Sequence, residues 1–492
     1  MMSENIDILL VTGNKAYDVV KEQSNQLSKL GYNLDVKKLQ TDVAAFIEPK
    51  MMSESVETGA YDYVIVPGRT EADFSGLSNV FKGPKNAFDI CEAIEDGLDE
   101  LSPRKAADKV IDISEITIEE LKEKEEPSFT LNLSGLEIGK GPATIIAEIN
   151  NAATLETEDI HENIRYFLDQ GADIIDLGFS NSTSPEEVEE VFKVLDTDAP
   201  LSIDTLDPEK IRVAVDYDID LVLSANKEVM DRVGEELGNE VCVVIPDDET
   251  IGSLLENLST AEKLGIKTIA DPILSPPNSG LVDSIQRCHE LNKLKPGLPT
   301  MMGVGNVTEL IDADSLGINA LMANIVSELS VDLLLTTEAS LKTKGSVREL
   351  NKSCKMAYIS KMKETYPKDL NIDLLNLKTK KRKEFPPEKL GEVIDGLHEK
   401  EVTSSKSPKG CFEIGVDREK KEIIAVFHSK NSEKHLTIKG RKADQIIKKI
   451  TKRELIEDLN HSAYLGQELK KAEIALKTGK NYIQDEKLLE SL

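Results

Sequence analysis

The chain has 492 residues, and its 90 acidic residues outnumber the 60 basic ones, which gives a formal net charge of −30. This excess of acid argues against nucleic-acid binding, because phosphate backbones are bound by net basic surfaces. At about 150 residues per domain, the length predicts about three domains. Five widely spaced cysteines without a C-x-x-C motif argue against a disulfide framework and against a structural zinc site.

The sequence shows no apolar run of the length that a membrane helix needs, about 18 residues. Its first residues lack the basic segment and the long apolar core of a signal peptide. We therefore expect a cytoplasmic protein without a membrane partner.

Residues 1–113 alternate short apolar runs with segments of helical periodicity, which predicts a small α/β domain. A single glycine, Gly13, follows the first predicted strand, so the G-x-G-x-x-G motif of a dinucleotide site is missing. The role of this domain stays open, with docking or scaffolding as the simplest alternative. The predicted strands are Ile6–Val11 and Tyr63–Gly68, and the predicted helices are Tyr17–Leu30 and Ala87–Leu98.

Residues 114–140 are predicted to be an acidic linker. The stretch 114–128 contains six Glu and ends just after Pro127. Charge runs of this kind are typical of solvated helices and linkers, so the stretch marks a domain boundary.

Residues 141–365 alternate strand-like apolar runs with amphipathic helical segments in eight β/α units, the length and rhythm of a TIM barrel. We therefore predict an α/β protein with a central (β/α)8 TIM barrel and with chemistry at the carboxyl ends of its strands. The predicted strands are Ala143–Glu148, Ile174–Phe179, Pro200–Thr205, Leu221–Asn226, Val241–Pro246, Thr268–Ile273, Thr300–Asn306 and Val331–Glu338. The predicted helices include Glu156–Asp169, Pro185–Leu195, Pro208–Ala214, Thr250–Leu264, Leu281–Leu294, Ala313–Leu329 and Val347–Glu364.

Residues 366–492 are predicted to form a C-terminal α+β domain. Cys411–Val416 and Glu422–Phe427 have strand character and are separated by a polar turn, which predicts a hairpin. Helical stretches follow it.

Polar side chains end nearly every predicted barrel strand. A purely structural barrel also places Asp, Asn and Thr at some of these positions, where they cap loops and helices. Together they predict an acidic, amide-rich pocket without a His or Cys nucleophile, which excludes most zinc, Ser/His and Cys/His chemistry. The residues are Glu148 with Asn150 and Asn151, Asp176, Asp204 with Thr205, Asn226, Asp271, Asn306, and Thr337 with Glu338.

Such a pocket suits a neutral heterocycle that is rich in N–H donors. A carboxylate such as Asp271 can accept two parallel N–H bonds from an amino-pyrimidinone edge. An amide such as Asn226 can both donate to and accept from ring nitrogens. Pterins and guanine share this edge, so the residue chemistry leaves both open.

Successive barrel motifs resemble those of the pterin-binding superfamily, which includes dihydropteroate synthase and the methyltetrahydrofolate–corrinoid methyltransferases. The resemblance implies that Asp204, Asn226 and Asp271 lie at the pterin ring, with a reduced pterin as substrate or cofactor. Asp176 is predicted to line the same pocket. The whole chain, with its tail motif Asn460–Gly466, resembles the archaeal dihydropteroate synthase-related proteins, which occur in organisms that use methanopterin-type pterins. The barrel motifs are GADIIDLGFSNSTSP at 171–185, PLSIDT at 200–205, LVLSAN at 221–226 and ADPIL at 270–274.

The departures from dihydropteroate synthase lie in three cationic motifs. Ser182–Pro185, Gly303–Thr308 and Leu335–Glu338 stand where that enzyme has its Ser-Thr-Arg-Pro, Ser-Arg-Lys and Arg-x-His motifs. A departing diphosphate needs cationic or metal stabilisation, so basic residues elsewhere or a metal must substitute. GVGNVT resembles instead the G-x-S-N-V-S motif of the methyltransferases, which implies that Asn306 lies near the pterin N5.

A basic loop after the eighth strand favours a phosphorylated substrate. Lys342, Lys344 and Arg348 surround the predicted start of a helix, where TIM barrels commonly bind phosphate. The alternative is a solvent-exposed basic turn.

Three hypotheses follow. The first is a synthase that joins a pterin methyl diphosphate to an arylamine in archaeal (methano)pterin biosynthesis, with Asp204 in the catalytic pocket and Mg²⁺ near Asn150. The second is a methyltransferase in one-carbon metabolism that moves a methyl group from a tetrahydropterin to a corrinoid on a partner protein, with Asn306 at N5. The third is a non-catalytic pterin-binding subunit. The expected partner is the small-molecule pterin, with a homodimer as a possible assembly and a corrinoid protein only under the second hypothesis.

Overall fold

A computed structural model describes residues 6–111, 117–237, 240–248, 250–370, 372–380, 408–430 and 435–489. These residues form a parallel sheet, a parallel barrel and an antiparallel sheet in chain order, each covered by helices. The predicted α/β class with a central barrel and two flanking domains is confirmed. In the described part of the chain, no helix combines the length and the apolar character that a membrane span requires. Parts of the predicted linker and of the predicted C-terminal domain lie outside the described residues.

The N-terminal domain is a four-stranded parallel sheet in the order β2-β1-β3-β4 with helices on both faces. Two ion pairs connect it to the chain that follows the barrel. The Arg69 guanidinium lies 3.2 Å from Asp369, and the Lys363 ammonium lies 2.8 Å from Asp89. The elements are β1 Asp7–Thr12, α1 Tyr17–Lys29, β2 Asn33–Lys38, α2 Pro49–Ser55, β3 Tyr63–Val66, β4 Val80–Lys82 and α3 Ile90–Gly97.

The segment predicted as an acidic linker contains a helix, α4 (Ile118–Lys124), and a hairpin of two short strands, β5 (Leu131–Leu133) and β6 (Leu136–Ile138). Leu133 and Ile138 are buried in one cluster with residues from the early part of the barrel strands, such as Ile146. The hairpin therefore closes the amino-terminal end of the barrel, a role that the charge pattern of this segment does not reveal.

The barrel begins at residue 144, and its eight parallel strands match the eight predicted ones. The seventh predicted strand is too long at its end, because the glycine-flanked stretch after Gly303 turns into one turn of helix that carries Asn306. The short helix Lys227–Val233, α8, was not among the predicted helices. The elements are β7 Thr144–Ile149, α5 Thr157–Gln170, β8 Ile174–Gly178, α6 Pro185–Val194, β9 Leu201–Asp204, α7 Pro208–Asp216, β10 Leu221–Ala225, α8 Lys227–Val233, β11 Val241–Val244, α9 Ile251–Leu264, β12 Lys267–Ala270, α10 Leu281–Leu294, β13 Met301–Gly303, α11 Gly305–Thr308, α12 Ser315–Glu328, β14 Leu333–Thr337 and α13 Ser346–Met362.

The barrel closes between β12 and β13. The strands pair in the order β12-β11-β10-β9-β8-β7-β14-β13, and a parallel bridge between Ala270 and Thr300 joins the two ends. The Ala270 N–H donates to the carbonyl oxygen of Pro299 at 2.8 Å across this joint. Closure brings the carboxyl ends of all eight strands to one rim, as the barrel prediction requires.

Helix starts at this rim follow clear sequence signals. Ser184 and Glu187 form a capping box at the start of α6, and Asp207 accepts from the Glu209 N–H at the start of α7. Proline follows both caps at the first helical position, where its missing N–H costs nothing. These caps fix where the loops above β8 and β9 end.

The C-terminal domain is a three-stranded antiparallel meander covered by two helices. The predicted hairpin is confirmed as β15–β16, with Phe412, Ile423 and Phe427 buried against the helices. The elements are β15 Gly410–Asp417, β16 Glu422–Ser429, β17 His435–Gly440, α14 Ala443–Lys452 and α15 Leu459–Thr478.

The closing hairpin generates a stability prediction. Ile138→Ala removes a side chain that is 1% exposed, and it should lower the free energy of unfolding of the barrel by about 2–4 kcal/mol. Hydrogen exchange of the barrel strands in urea would measure this locally. The neighbouring exposed Glu137, changed to Ala, should shift that free energy by less than about 0.5 kcal/mol. Equal effects of the two substitutions would contradict the proposed closing role.

Candidate functional site

The carboxyl-terminal mouth of the barrel gathers acidic groups from separate strands. Glu148 lies beside Asp176 in the β7–β8 pairing, and Asp204 lies beside Gly178 in the β8–β9 pairing. Asp271 follows β12 and interacts electrostatically with Asp204. The structure thus brings together three of the predicted site residues, and it adds Glu148, which the sequence identified only as a strand-end residue.

Asp176 is the most deeply buried of these groups. Its side chain has no solvent exposure, and its Oδ1 accepts a 2.6 Å hydrogen bond from the Ser202 hydroxyl. Its Oδ2 has no hydrogen-bond partner. Burial, followed by the charges of Asp204 and Glu148, raises the pKa of Asp176 well above its ordinary value. The Asp176 carboxyl group is therefore suited to a protonated state that a bound ligand could change.

Glu148 and Asp204 lie closer to solvent. Burial raises the pKa of Glu148 to about 7, and the Asp204 charge is the second cause. Burial also raises the pKa of Asp204, against a 3.0 Å hydrogen bond from the Ser224 hydroxyl. A Cβ at Gly178 would lie 2.5 Å from Glu148 Oε1, so glycine is what lets the Glu148 carboxyl group lie over β8.

Asp271 is 8% exposed, and the backbone that follows it holds its carboxyl group. Its Oδ1 accepts a 2.7 Å hydrogen bond from the Ile273 N–H. Burial raises the pKa of Asp271 to about 7, although this hydrogen bond and the nearby Arg287 guanidinium both lower it. Asp271 can thus change between its neutral and ionised forms near neutral pH.

The two predicted amides are arranged differently from each other. Asn226 caps α8, since its side-chain oxygen accepts from the Val229 N–H at 3.0 Å. The helix cap uses only the side-chain oxygen of Asn226, and its side-chain nitrogen takes no part in the cap. Asn306 is exposed at the start of α11, where its Nδ2 donates to the carbonyl oxygen of Leu274 at 2.9 Å. This bond ties Asn306 to the segment that carries Asp271.

Asn150, the predicted magnesium ligand, lies at the end of β7. Its Oδ1 accepts a 2.5 Å hydrogen bond from the Thr337 hydroxyl of β14. Among the residues with described positions, no group of three or more His, Cys, Asp or Glu side chains could hold a metal ion. A magnesium ion at Asn150 stays a prediction.

The predicted phosphate loop is already paired with acidic side chains. Lys342 lies 2.9 Å from Asp312, and Lys344 lies 3.5 Å from Glu338. Glu338 also accepts from the Val347 N–H at 3.2 Å, so a carboxylate of the protein occupies the amino-terminal end of α13. Arg348 follows in the first turn of α13. Phosphate binding at this loop stays a prediction that requires these ion pairs to open.

Lys210 is a cation that the sequence analysis did not identify. It is 1% exposed on α7, and its ammonium donates to the carbonyl oxygen of Ser180 at 2.9 Å. Asp207 lies 3.8 Å away. The lysine therefore holds the loop after β8. Sequence offers no signal for it, because a lysine in the first turn of an amphipathic helix is usually exposed.

A cavity of about 490 Å³ lies at the opposite end of the barrel. Its walls include Glu125 and Tyr358, which share a 2.9 Å hydrogen bond, together with Lys361 and Asp332. None of the predicted site residues lines this cavity. The mouth and the cavity are therefore separate places, and the predicted chemistry belongs to the mouth.

Two family models match parts of the chain, and one relative matches nearly all of it. A family model described as pterin binding enzyme matches residues 148–315, and one described as PterinBD-DUF4346 matches residues 406–485. An uncharacterised protein of Methanocaldococcus jannaschii is 34% identical over 530 aligned positions, which cover 98% of this chain and 99% of that protein.

Solved structures that are similar to part of the chain include two dihydropteroate synthases. The enzyme of Xanthomonas albilineans, in complex with indole-2-carboxylic acid and 6-chloroguanine, is 20% identical, covers 46% of this chain and 94% of its own, and has a TM-score of 0.38. The 7,8-dihydropteroate synthase of Vibrio fischeri is 15% identical, covers 47% of this chain and 98% of its own, and has a TM-score of 0.38.

The closed parallel barrel and the family match at residues 148–315 define the class of this part of the chain, a TIM barrel that matches the pterin binding enzyme family. Over nearly its whole length, the chain belongs to the same family as the Methanocaldococcus jannaschii protein.

The buried carboxyl groups generate a pH prediction. Their folded-state pKa values are raised, so the folded protein binds more protons than the unfolded chain between the ordinary carboxyl range and about pH 7. The protonated carboxyl groups therefore stabilise the folded protein fully at a pH below the ordinary carboxyl pKa. This stabilisation is lost as the pH rises through about 7. The free energy of unfolding of the barrel should fall by roughly 2 kcal/mol or more from about pH 5 to about pH 8.

Asp204→Asn should flatten this pH dependence, because the charge of Asp204 raises the pKa of Glu148, Asp176 and Asp271. Denaturant-dependent hydrogen exchange at several pH values would measure it. The exposed Asp196, changed to Asn, is the matched control and should leave the slope as it is. A wild-type barrel whose stability rises over this pH interval would contradict the assignment.

Proposed function

We propose that the protein binds a reduced pterin in the carboxyl-terminal mouth of the barrel and transfers a group that the pterin carries. The observation behind this proposal is the convergence of Glu148, Asp176, Asp204 and Asp271 in one poorly hydrated space. Buried carboxyl groups are costly unless N–H or O–H donors satisfy them. A ring with several N–H donors on one edge supplies such partners, and the family match supports a pterin as that ring.

Ring recognition is assigned to Asp271 and Asn226. An ionised Asp271 accepts two parallel N–H bonds from the amino-pyrimidinone edge, an arrangement stronger than bonds between neutral groups. The side-chain nitrogen of Asn226, whose oxygen caps α8, donates to a ring acceptor. Since donors favour the ionised carboxyl group, pterin binding should lower the pKa of Asp271 from about 7.

The first candidate reaction is transfer of a methyl group from N5 of a tetrahydropterin to a corrinoid cofactor on a partner protein. Asn306 favours it, because the bond from its Nδ2 to the Leu274 carbonyl fixes the exposed amide beside the Asp271 segment. When the methyl group leaves, the electron pair of the N5–carbon bond stays on nitrogen, so N5 needs a proton. Glu148, with a pKa of about 7, is partly protonated at neutral pH and is suited to donate it.

The second candidate reaction is a synthase step, in which an arylamine displaces diphosphate from a pterin methyl diphosphate. The specific observation in its favour is Lys210, a buried cation beside the Ser180 loop. A departing diphosphate needs such positive charge. The existing partners of these cations weigh against this reaction. Lys210 is bonded to the Ser180 carbonyl and lies 3.8 Å from Asp207, and Lys342 and Lys344 are paired with Asp312 and Glu338.

Asp271→Asn tests the ring assignment. An amide cannot accept two parallel N–H bonds, so the affinity for tetrahydropterin should fall by roughly tenfold or more. Isothermal titration calorimetry with tetrahydropterin would measure the affinity, with Asp196→Asn as the matched exposed control. Unchanged affinity in Asp271→Asn would show that the ring lies elsewhere.

Asn306→Ala separates the two reactions. Under methyl transfer, the wild type should change the absorption spectrum of reduced cobalamin in the presence of methyl-tetrahydropterin, and the variant should slow that change by about tenfold or more. The corresponding change at Asn324, on the outer helix α12, is the control. Pyrophosphate release from a pterin methyl diphosphate and an arylamine, without any cobalamin change, would establish the synthase reaction instead.

A further inference from the structure

The segment after β12 has a strained backbone. Ile273 has a φ of +61°, in the left-handed region that a β-branched side chain strongly disfavours. Such conformations persist only where surrounding contacts impose them, and they cluster at ligand sites. The segment begins with Asp271, to which the proposed function assigns the pterin ring.

Arg287 supplies contacts that impose this conformation. It is half-buried on α10, and its Nε donates to the carbonyl oxygen of Pro272 at 2.7 Å. Its Nη2 donates to the carbonyl oxygen of Ile273 at 2.8 Å. The planar guanidinium can hold both acceptors at once because its N–H groups form a rigid fork, which a lysine ammonium cannot reproduce.

The segment joins two residues of the proposed site. On one side, the Ile273 N–H donates to Asp271 Oδ1 at 2.7 Å. On the other side, the Leu274 carbonyl oxygen accepts from Asn306 Nδ2 at 2.9 Å. The conformation of Pro272 and Ile273 therefore sets the positions of the Asp271 carboxyl group and the Asn306 amide together.

We propose that Arg287 is a positioning residue of the pterin site, which holds the carbonyl groups of Pro272 and Ile273 so that Asp271 and Asn306 face the same ring. The inference rests on the proposed pterin function and deepens it, because it identifies a residue outside the predicted ligand contacts that sets their geometry.

The positive charge of Arg287 also affects the pKa of Asp271, and this effect can be separated from the effect on geometry. The titratable and charged groups that interact with Asp271 are Asp204 on β9 and Arg287 and Cys288 on α10. The Arg287 guanidinium lowers the pKa of Asp271, whereas burial and Asp204 raise it. Removing the guanidinium should therefore move ionisation of Asp271, and binding that depends on it, to higher pH.

Two variants separate geometry from charge. Arg287→Lys keeps the charge and loses the fork, so the affinity for tetrahydropterin should fall about tenfold while the pH midpoint of binding stays near that of the wild type. Arg287→Met loses both, so the affinity should fall at least as far and the midpoint should move to higher pH. Calorimetric titrations from acidic to alkaline pH would measure both quantities, with the exposed Arg165, changed to Met, as control.

A double-mutant cycle with Asp271→Asn tests whether Arg287 acts through Asp271. Coupled residues give non-additive effects, so a change at Arg287 should cost little further affinity in the Asp271→Asn background. Full additivity, or an unchanged affinity and pH midpoint in Arg287→Met, would overturn the inference. If Arg287→Met does not fold, Arg287→Lys and its double variant decide by the same criterion.

Different experimental results would show that the proposed pterin function itself is wrong. In that case the wild type does not bind tetrahydropterin, or Asp271→Asn binds it as tightly as the wild type does. Loss of affinity in Asp271→Asn, together with wild-type behaviour of both Arg287 variants, would refute only the role of Arg287.

Discussion

Closure of the barrel is the constraint on which the site depends. The bridge between Ala270 and Thr300 completes a ring of parallel strands, and parallel pairing sends every carboxyl end to the same rim. Residues as far apart in sequence as Glu148 and Asp271 thereby share one small space. The hairpin that carries Leu133 and Ile138 covers the other end of the ring with apolar side chains. The fold thus divides the barrel into an apolar base and an acidic mouth.

The acidic mouth couples binding to protonation. Its carboxyl groups are poorly hydrated and close to one another, so burial and mutual repulsion favour their neutral forms. A ligand with N–H donors reverses this preference, since it stabilises the ionised form of the group that it touches. In the function we propose, Asp271 holds the pterin ring and Glu148 supplies a proton, and burial raises the pKa of both carboxyl groups to about 7. On the same reasoning, we expect the negative charge of the mouth to repel an anionic leaving group.

The sequence predicted the barrel well because alternating apolar strands and amphipathic helices leave a strong periodic signal. It predicted the end of β13 poorly, because the small residues after Gly303 continue an apolar run while they turn into a helix. The closing hairpin was missed because each of its strands has only three residues and follows an acidic run. Strand-end polarity predicted Asp204 and Asp271 as site residues, and the structure places both at the carboxyl-terminal rim of the barrel. Arg287 left no sequence signal, because the role we propose for it arises from contacts between α10 and a strained segment that only the folded chain brings together.

The central claim is that the mouth, rather than any other part of the molecule, holds a reduced pterin. A crystal structure of the protein with tetrahydropterin bound tests it most directly. The account predicts the ring at the carboxyl ends of the strands, with its amino-pyrimidinone edge within hydrogen-bond distance of the Asp271 carboxyl group and with Asn226 beside it. A ring in the 490 Å³ cavity beside Tyr358, at the opposite end of the barrel, with the mouth left empty, would contradict it.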